Sequence, residues 1–237
     1  MTIPYRIHIH PRARHVRLRM DPREGLVVTV PRSFDKRQLP DLIEQKRGWI
    51  ESIRARQAGH RDDVDAVLLG PRPERVDLAA LGRSWSIRYR NCDRSTLGFA
   101  ATESNLTISL PKDNPDWIDE RLAHRLRAWL FERAREHLVP LVEELADAHG
   151  FRHGPITIRN QRARWGSCSA DGRLSLNARL LFASPQACRY VLVHELAHTE
   201  HPNHSSAFWN RVAELDPDCQ QNMAELKAVW HRLPDWV

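Results

Sequence analysis

The chain has 237 residues, 41% of them hydrophobic and eight of them tryptophan, which is enough for one large or two small domains with a real core and excludes a disordered polypeptide. No apolar run approaches the ~20 residues that span a bilayer, the opening Met1-Thr2-Ile3-Pro4-Tyr5-Arg6 lacks the apolar core of a signal peptide, and Cys92, Cys168, Cys188 and Cys219 form no C-x-x-C pair; a cytoplasmic protein without a disulfide framework or zinc knuckle is expected. The net charge of +6 is uneven, with 13 Lys and Arg against 6 Asp and Glu in residues 1–58 and 23 against 24 in the remainder, so the basic N-terminal region leaves nucleic acid open as a partner.

In chain order, alternation over Tyr5, Ile7 and Ile9, then Val16, Leu18 and Met20, then Leu26 to Val30 predicts strands, the last two joined by a turn at Asp21-Pro22-Arg23-Glu24-Gly25. Between Asp35 and Gln57, Leu39, Leu42, Ile43, Trp49, Ile50 and Ile53 recur at helical spacing, with Pro40 in the first turn. Gly59 to Arg75 reads as a connection. Further strands are predicted at Val76 to Leu81, Trp85 to Tyr89, Leu97 to Ala101 and Leu106 to Leu110. Pro111-Lys112-Asp113-Asn114-Pro115 reads as a boundary, which divides the chain into a β-rich N-terminal module with one helix (1–112) and a second domain (113–237).

The second domain opens with a long helical pattern over Trp117 to His149, with Pro140 placed to kink or divide it and Gly150 to end it. Ile156 to Arg162 and Arg173 to Asn177 flank the turn signal Ser169-Ala170-Asp171-Gly172 and read as a β-hairpin or meander. Ser184-Pro185 then starts a helix with a capping hydroxyl and a proline at its first position. Pro202 stops it, and a last helix begins near Asn203 or Ser205.

That penultimate helix carries His194-Glu195-Leu196-Ala197-His198, the pattern H-E-x-x-H. One helical turn puts His194 and His198 on one face, the spacing at which two imidazoles grip one metal ion, and leaves Glu195 beside them as a general base. Tyr190, Val191, Leu192, Val193, Leu196 and Ala197 make the helix apolar nearly all round, so it is buried and its polar side chains need partners that a metal would supply. A catalytic zinc site needs a third protein ligand: His204, at the head of the next helix, is the first choice and His201 the second. The six-residue step from His198 to His204 equals that of the metzincins, but His201 stands where they have glycine, so the chain is not read as one.

The run Arg164-Trp165-Gly166-Ser167-Cys168-Ser169, then Leu176-Asn177, the segment Tyr190 to His198, and Asn203-His204-Ser205 with Phe208-Trp209 resembles the YgjP-like metallopeptidase-domain family. The resemblance also takes in Val16-Arg17-Leu18-Arg19, Val28 to Pro31, Trp49-Ile50 and Leu81-Gly82, and departs from the family at Thr199 and Cys219. It implies an α+β protein whose second domain is zincin-like, related to SprT-like and WLM proteases, with zinc held by His194, His198 and His204 and with Glu195 as catalytic base. The expected activity is that of a zinc-dependent metallopeptidase. A metal-dependent nucleoside triphosphate pyrophosphohydrolase is the alternative, since a metal-activated water attacks a carbonyl or a phosphoryl centre alike; Arg162, Arg164 and Arg179 near the hairpin read equally as triphosphate ligands and as surface charges. Ser167-Cys168 has no histidine tied to it and reads as a turn or packing element. A purely structural zinc would recruit a fourth protein ligand such as Cys168 and would not need Glu195.

Overall fold

The structure is a computed structural model that describes residues 4–9, 16–21, 25–32, 34–48, 50–51, 72–113, 115 and 117–237. It divides into two compact units, Met1–Val64 and Asp65–Val237.

In the first unit β1 (Tyr5–Ile9), β2 (Arg17–Asp21) and β3 (Gly25–Val30) form a sheet in the order β1-β3-β2, with β1 parallel and β2 antiparallel to the central strand. Residues 22–24 of the expected turn lie outside the described residues, but Asp21 pairs with Gly25 across its base. Alternation along β3 turns Leu26, Val28 and Val30 to one face, where they are buried with Leu39 and Ile43 of α1 (Leu39–Gln45) and with Ile50. The carboxylate of Asp35 accepts from the Arg37 backbone N–H at the head of this helical segment, and Pro40 stands in the first turn of α1, as the sequence indicates. Trp49, Ile53 and most of the 59–75 connection lie outside the described residues.

The second unit begins with β4 (Arg75–Leu78), β5 (Arg83–Cys92), β6 (Gly98–Ala101) and β7 (Asn105–Pro111), in the order β4-β5-β7-β6. The strand expected to reach Leu81 stops at Leu78; Ala79–Leu81 form a 3₁₀ turn closed by Gly82, whose φ of 59° suits a residue without Cβ. The expected boundary at 112/113 is corrected by the packing. Val76, Trp85, Ile87, Leu106 and Ile108 on these strands share one buried core with Leu122, Leu126 and Trp129 of α2 (Ile118–His149), and the Trp85 and Trp129 rings meet edge to face at 5.1 Å. A sheet with one apolar face must be covered, and α2 covers this one; the Pro111–Pro115 signal thus falls between a sheet and the helix that covers it. Helix α2 is undivided over 32 residues, with Pro140 inside it, and it ends where Gly150 (φ 74°) donates to the Ala146 carbonyl.

A small mixed sheet follows: β8 (Ile156–Arg159), β9 (Gly166–Cys168) and β10 (Leu174–Asn177), in the order β8-β10-β9. The hairpin is β9–β10, turning at Ser169–Gly172 with Gly172 at φ 74°. The strand expected to run to Arg162 ends at Arg159 and pairs parallel with β10, because residues 160–165 carry the chain across the end of β10 before it re-enters as β9. The hairpin or meander expected here is thus a mixed sheet in which only β9 and β10 form the hairpin.

Helix α3 (Pro185–Ala197) starts as read, with the Ser184 hydroxyl accepting from the Ala187 N–H at 3.1 Å, and it is buried over most of its surface. After α4 (Ser206–Leu215) comes α5 (Cys219–His231), a helix that the sequence reading left unassigned. Its Glu225 accepts from both the Ser184 N–H (2.7 Å) and hydroxyl (2.8 Å), fixing the start of α3 from outside. Hydrogen bonds to a charged acceptor contribute about 1.5–3 kcal/mol each when partly buried, so Glu225→Ala is expected to destabilise the protein by about 2 kcal/mol or more; urea unfolding with an unchanged m-value measures it, and a loss under ~0.5 kcal/mol would deny the cap this role.

Candidate metal centre

Helix α3 presents His194 and His198 one turn apart, His198 being its C-cap. The helix closes earlier than Pro202: the Thr199 hydroxyl donates to the Leu196 carbonyl at 2.7 Å, and the Thr199 and His201 N–H groups donate to Leu196 and Ala197. These bonds satisfy carbonyls that would otherwise carry the helix on, and the chain swings back toward α3. The swing places His204, just before the Ser205 N-cap of α4, against the first two histidines. One nitrogen from each of His194, His198 and His204 lies within 4.8 Å of the others. The Nε2 atoms of His194 and His204 are 3.2 Å apart.

His201, the second choice for third ligand, is used through its backbone: its carbonyl accepts from His198 Nδ1 at 3.1 Å. That bond fixes the proton on Nδ1 and leaves the Nε2 lone pair for the cluster. The Tyr190 hydroxyl stands 3.4 Å from His194 Nδ1. Beneath all three rings lies Phe208, fully buried, stacked on His198 at 4.5 Å and edge-on to His194 and His204 at 4.9 and 4.8 Å. The arrangement is thus held from below by α4 and from behind by hydrogen bonds.

The donor set fits a transition metal. Nitrogens bound at ~2.0–2.1 Å to one tetrahedral ion stand ~3.3 Å apart, close to the separation of His194 and His204. Burial, reinforced by the charges that His198 and His204 would carry, pushes the His194 imidazole down to about 4. Burial likewise lowers His198, against the opposing bond to His201. Both are therefore neutral at neutral pH, the form that binds a metal. Among the described residues no further His, Cys, Asp or Glu joins the three, so Cys168 is not a fourth protein ligand.

Glu195 is 6% exposed and faces β9. A Cβ on Gly166 would fall 2.7 Å from Glu195 Oε1 and 2.8 Å from its Cγ, so the carboxylate lies directly on the Gly166 backbone in a space that only glycine leaves. Burial pushes its pKa up to about 7, opposed by the positive charge of Arg164 and by the Cys168 backbone N–H. A carboxyl poised near neutrality and outside the donor set suits proton transfer. The Cys168 thiol is pushed up to about 11 by burial and by the charges of Glu195 and Asp171, so it is a protonated neighbour and not a nucleophile.

The three arginines considered for phosphate binding do not form a set. Arg179 is buried, donates to Asn160 Oδ1 at 2.8 Å and lies over the Trp230 ring, which makes it part of the scaffold; Arg162 and Arg164 are exposed on the 160–165 loop. Sequence reasoning names Gly166, Asn177 and Phe208 only as parts of motifs and assigns none of them a role. Gly166 stands in a motif beside the site, but its reason for being glycine is a contact with a residue 29 positions later, and no spacing announces that.

Three imidazoles around one point, on and just after a buried helix, with an unligated carboxyl beside them, are the equipment of a metal-dependent hydrolase. The chain matches the YgjP-like, metallopeptidase domain family over residues 14–229 and belongs to that family. It is accordingly a hydrolase of metallopeptidase type. Part of the chain is also similar to two solved structures, each covering 37% of it with a TM-score of 0.34. One is the metallopeptidase zymogen abylysin of Pyrococcus abyssi, 27% identical and covered over 89% of its length. The other is the zymogen jannalysin of Methanocaldococcus jannaschii, 20% identical and covered over 91%. No match was found among curated proteins. Among the described residues no helix is long and apolar enough to cross a membrane.

Proposed function

We propose that the protein is a zinc-dependent peptidase in which His194, His198 and His204 hold the ion and Glu195 is the general base. When bound, zinc supplies a Lewis acid that polarises the scissile carbonyl and acidifies water. Glu195 takes the proton of the attacking water on its carboxylate and returns it to the nitrogen of the leaving amine. Its burial against Gly166 keeps bulk water from competing for that proton. Among the described residues β9 pairs within its sheet only with β10, so an extended peptide adding to the outer edge of β9 would pass beside Glu195. The observation that carries the proposal is the raised, unligated carboxyl of Glu195 next to a three-nitrogen cluster with no fourth protein donor among the described residues.

The metal assignment has its own test. His204→Ala is expected to weaken zinc binding by well over the ~10–100-fold that losing an outer hydrogen-bond partner costs, whereas His201→Ala, which leaves the backbone carbonyl to His198 in place, retains the metal. Zinc content and competition titration read both; retention in His204→Ala with loss in His201→Ala would exchange their roles. Activity is tested with dye-labelled casein and nucleoside triphosphates side by side. Zinc-dependent peptide cleavage supports the proposal, and pyrophosphate release without peptide cleavage would replace it with a nucleotide hydrolase.

A further inference from the structure

We infer that Asn177 is a positioning residue for Glu195, acting through the 160–165 loop and Gly166; this rests on the reading of Glu195 as the base. Asn177 is wholly buried at the end of β10, and each polar group of its side chain is used. Its Nδ2 donates to the Gln161 carbonyl at 2.8 Å and to the Arg164 carbonyl at 2.9 Å, and its Oδ1 accepts from the Arg179 N–H at 3.2 Å. Its backbone N–H donates to the Trp165 carbonyl at 2.8 Å. One residue therefore pins both the entry and the exit of the loop that crosses from β8 to β9.

The next residue out of that loop is Gly166, where the Glu195 carboxyl fills the space a Cβ would take, and two residues on the Cys168 backbone N–H supports the same carboxylate. Helix α5 clamps the same loop from the other side: Trp230 meets the Trp165 ring edge to face at 4.7 Å and carries the Arg179 guanidinium 5.6 Å above it, while Arg179 Nε holds Asn160 Oδ1. None of these groups touches the three histidines in the contacts described above. The loop anchors can thus shift Glu195 without disturbing the ligands. A displacement of ~1 Å in a reacting group costs up to ~10²-fold in rate.

The test compares the full-length, zinc-loaded wild type with Asn177→Asp, which keeps the oxygen that caps Arg179 but faces the Gln161 and Arg164 carbonyls with an acceptor. Trp230→Leu, which loosens the same loop from α5, serves if the first variant fails to fold. Crystal structures are expected to show the Gly166 backbone and the Glu195 carboxyl displaced by about 1 Å with His194, His198 and His204 in place. With dye-labelled casein, kcat per bound zinc is expected to fall roughly 10–100-fold with KM and zinc stoichiometry unchanged, a split that a mere loss of folded protein does not give. Glu195 unmoved in the folded variants, or a displaced Glu195 with full kcat per zinc, overturns the inference. Glu195→Gln is measured alongside: full activity there removes the base reading, whereas its loss together with active Asn177→Asp and Trp230→Leu removes the positioning role alone. The displacement is read without substrate, so it decides the structural half of the inference whatever the enzyme cleaves.

Discussion

Glu195→Gln is expected to lower hydrolysis by ~10²-fold or more while zinc content stays at the wild-type level. Gln keeps the shape that fills the space over Gly166 and removes only the capacity to take and return a proton. A second consequence needs no substrate. In metal-free protein burial holds the Glu195 carboxyl near 7, above its usual 4.5, so the native state binds its proton more tightly than the unfolded chain does. The raised pKa therefore favours folding below about 4.5, and that advantage is lost as the pH rises through 7. The difference is on the order of 3 kcal/mol. Gln does not titrate. Metal-free Glu195→Gln should be more stable than metal-free wild type at pH 8 and similar at pH 4, as read by urea unfolding. Parallel stability curves across that range would show that Glu195 is not buried as described, and equal hydrolysis by the two proteins would end its role as base.

Gly166→Ala is the second large effect. The added methyl would lie 2.7 Å from Glu195 Oε1, 2.8 Å from Cγ and 3.0 Å from Cδ, closer than folded proteins allow. Neither side yields readily: β9 is hydrogen-bonded to β10 with Gly166 opposite Leu176, and α3 is buried around Glu195 by Leu192, Val193 and Leu196. The carboxyl must move, or strand and helix must part. Overpacking of this kind costs ~1–3 kcal/mol, and a base displaced by ~1 Å loses up to ~10²-fold in rate. Zinc content is expected to be unchanged, because the three atoms nearest the added methyl all belong to Glu195. An alanine variant with native stability and full activity would show that the strand gives way freely, and that the clearance at Gly166 has no functional weight.

Much of this molecule could be read along the chain because the determinants are local. The start of α3 follows from a serine hydroxyl and a proline at fixed positions; the end of α2 follows from one glycine able to take a left-handed conformation; the β9–β10 turn follows from Ser169 to Gly172. The face shared by His194 and His198 is a property of helical pitch alone. The helix that carries the candidate ligands and the mixed α+β class were therefore legible in the sequence, and the residues proposed as ligands and base come from it as well.

What the tertiary structure decided concerns groups that meet across long separations. The Pro111–Pro115 stretch looks like a domain boundary, yet Trp85 and Trp129 bury each other across it, and composition is blind to such a contact. The parallel pairing of β8 with β10 depends on a crossover, not on the alternation that predicts each strand. The approach of His204 to His194 and His198, while His201 meets His198 through its backbone carbonyl, depends on how the chain turns after α3. The reasons for Gly166, Asn177 and Glu225 appear only once β9, the 160–165 loop and α5 are brought against α3. Period and capping are written residue by residue, whereas clearance, burial and the pKa shifts that follow from them belong to the packed assembly and have no local signature.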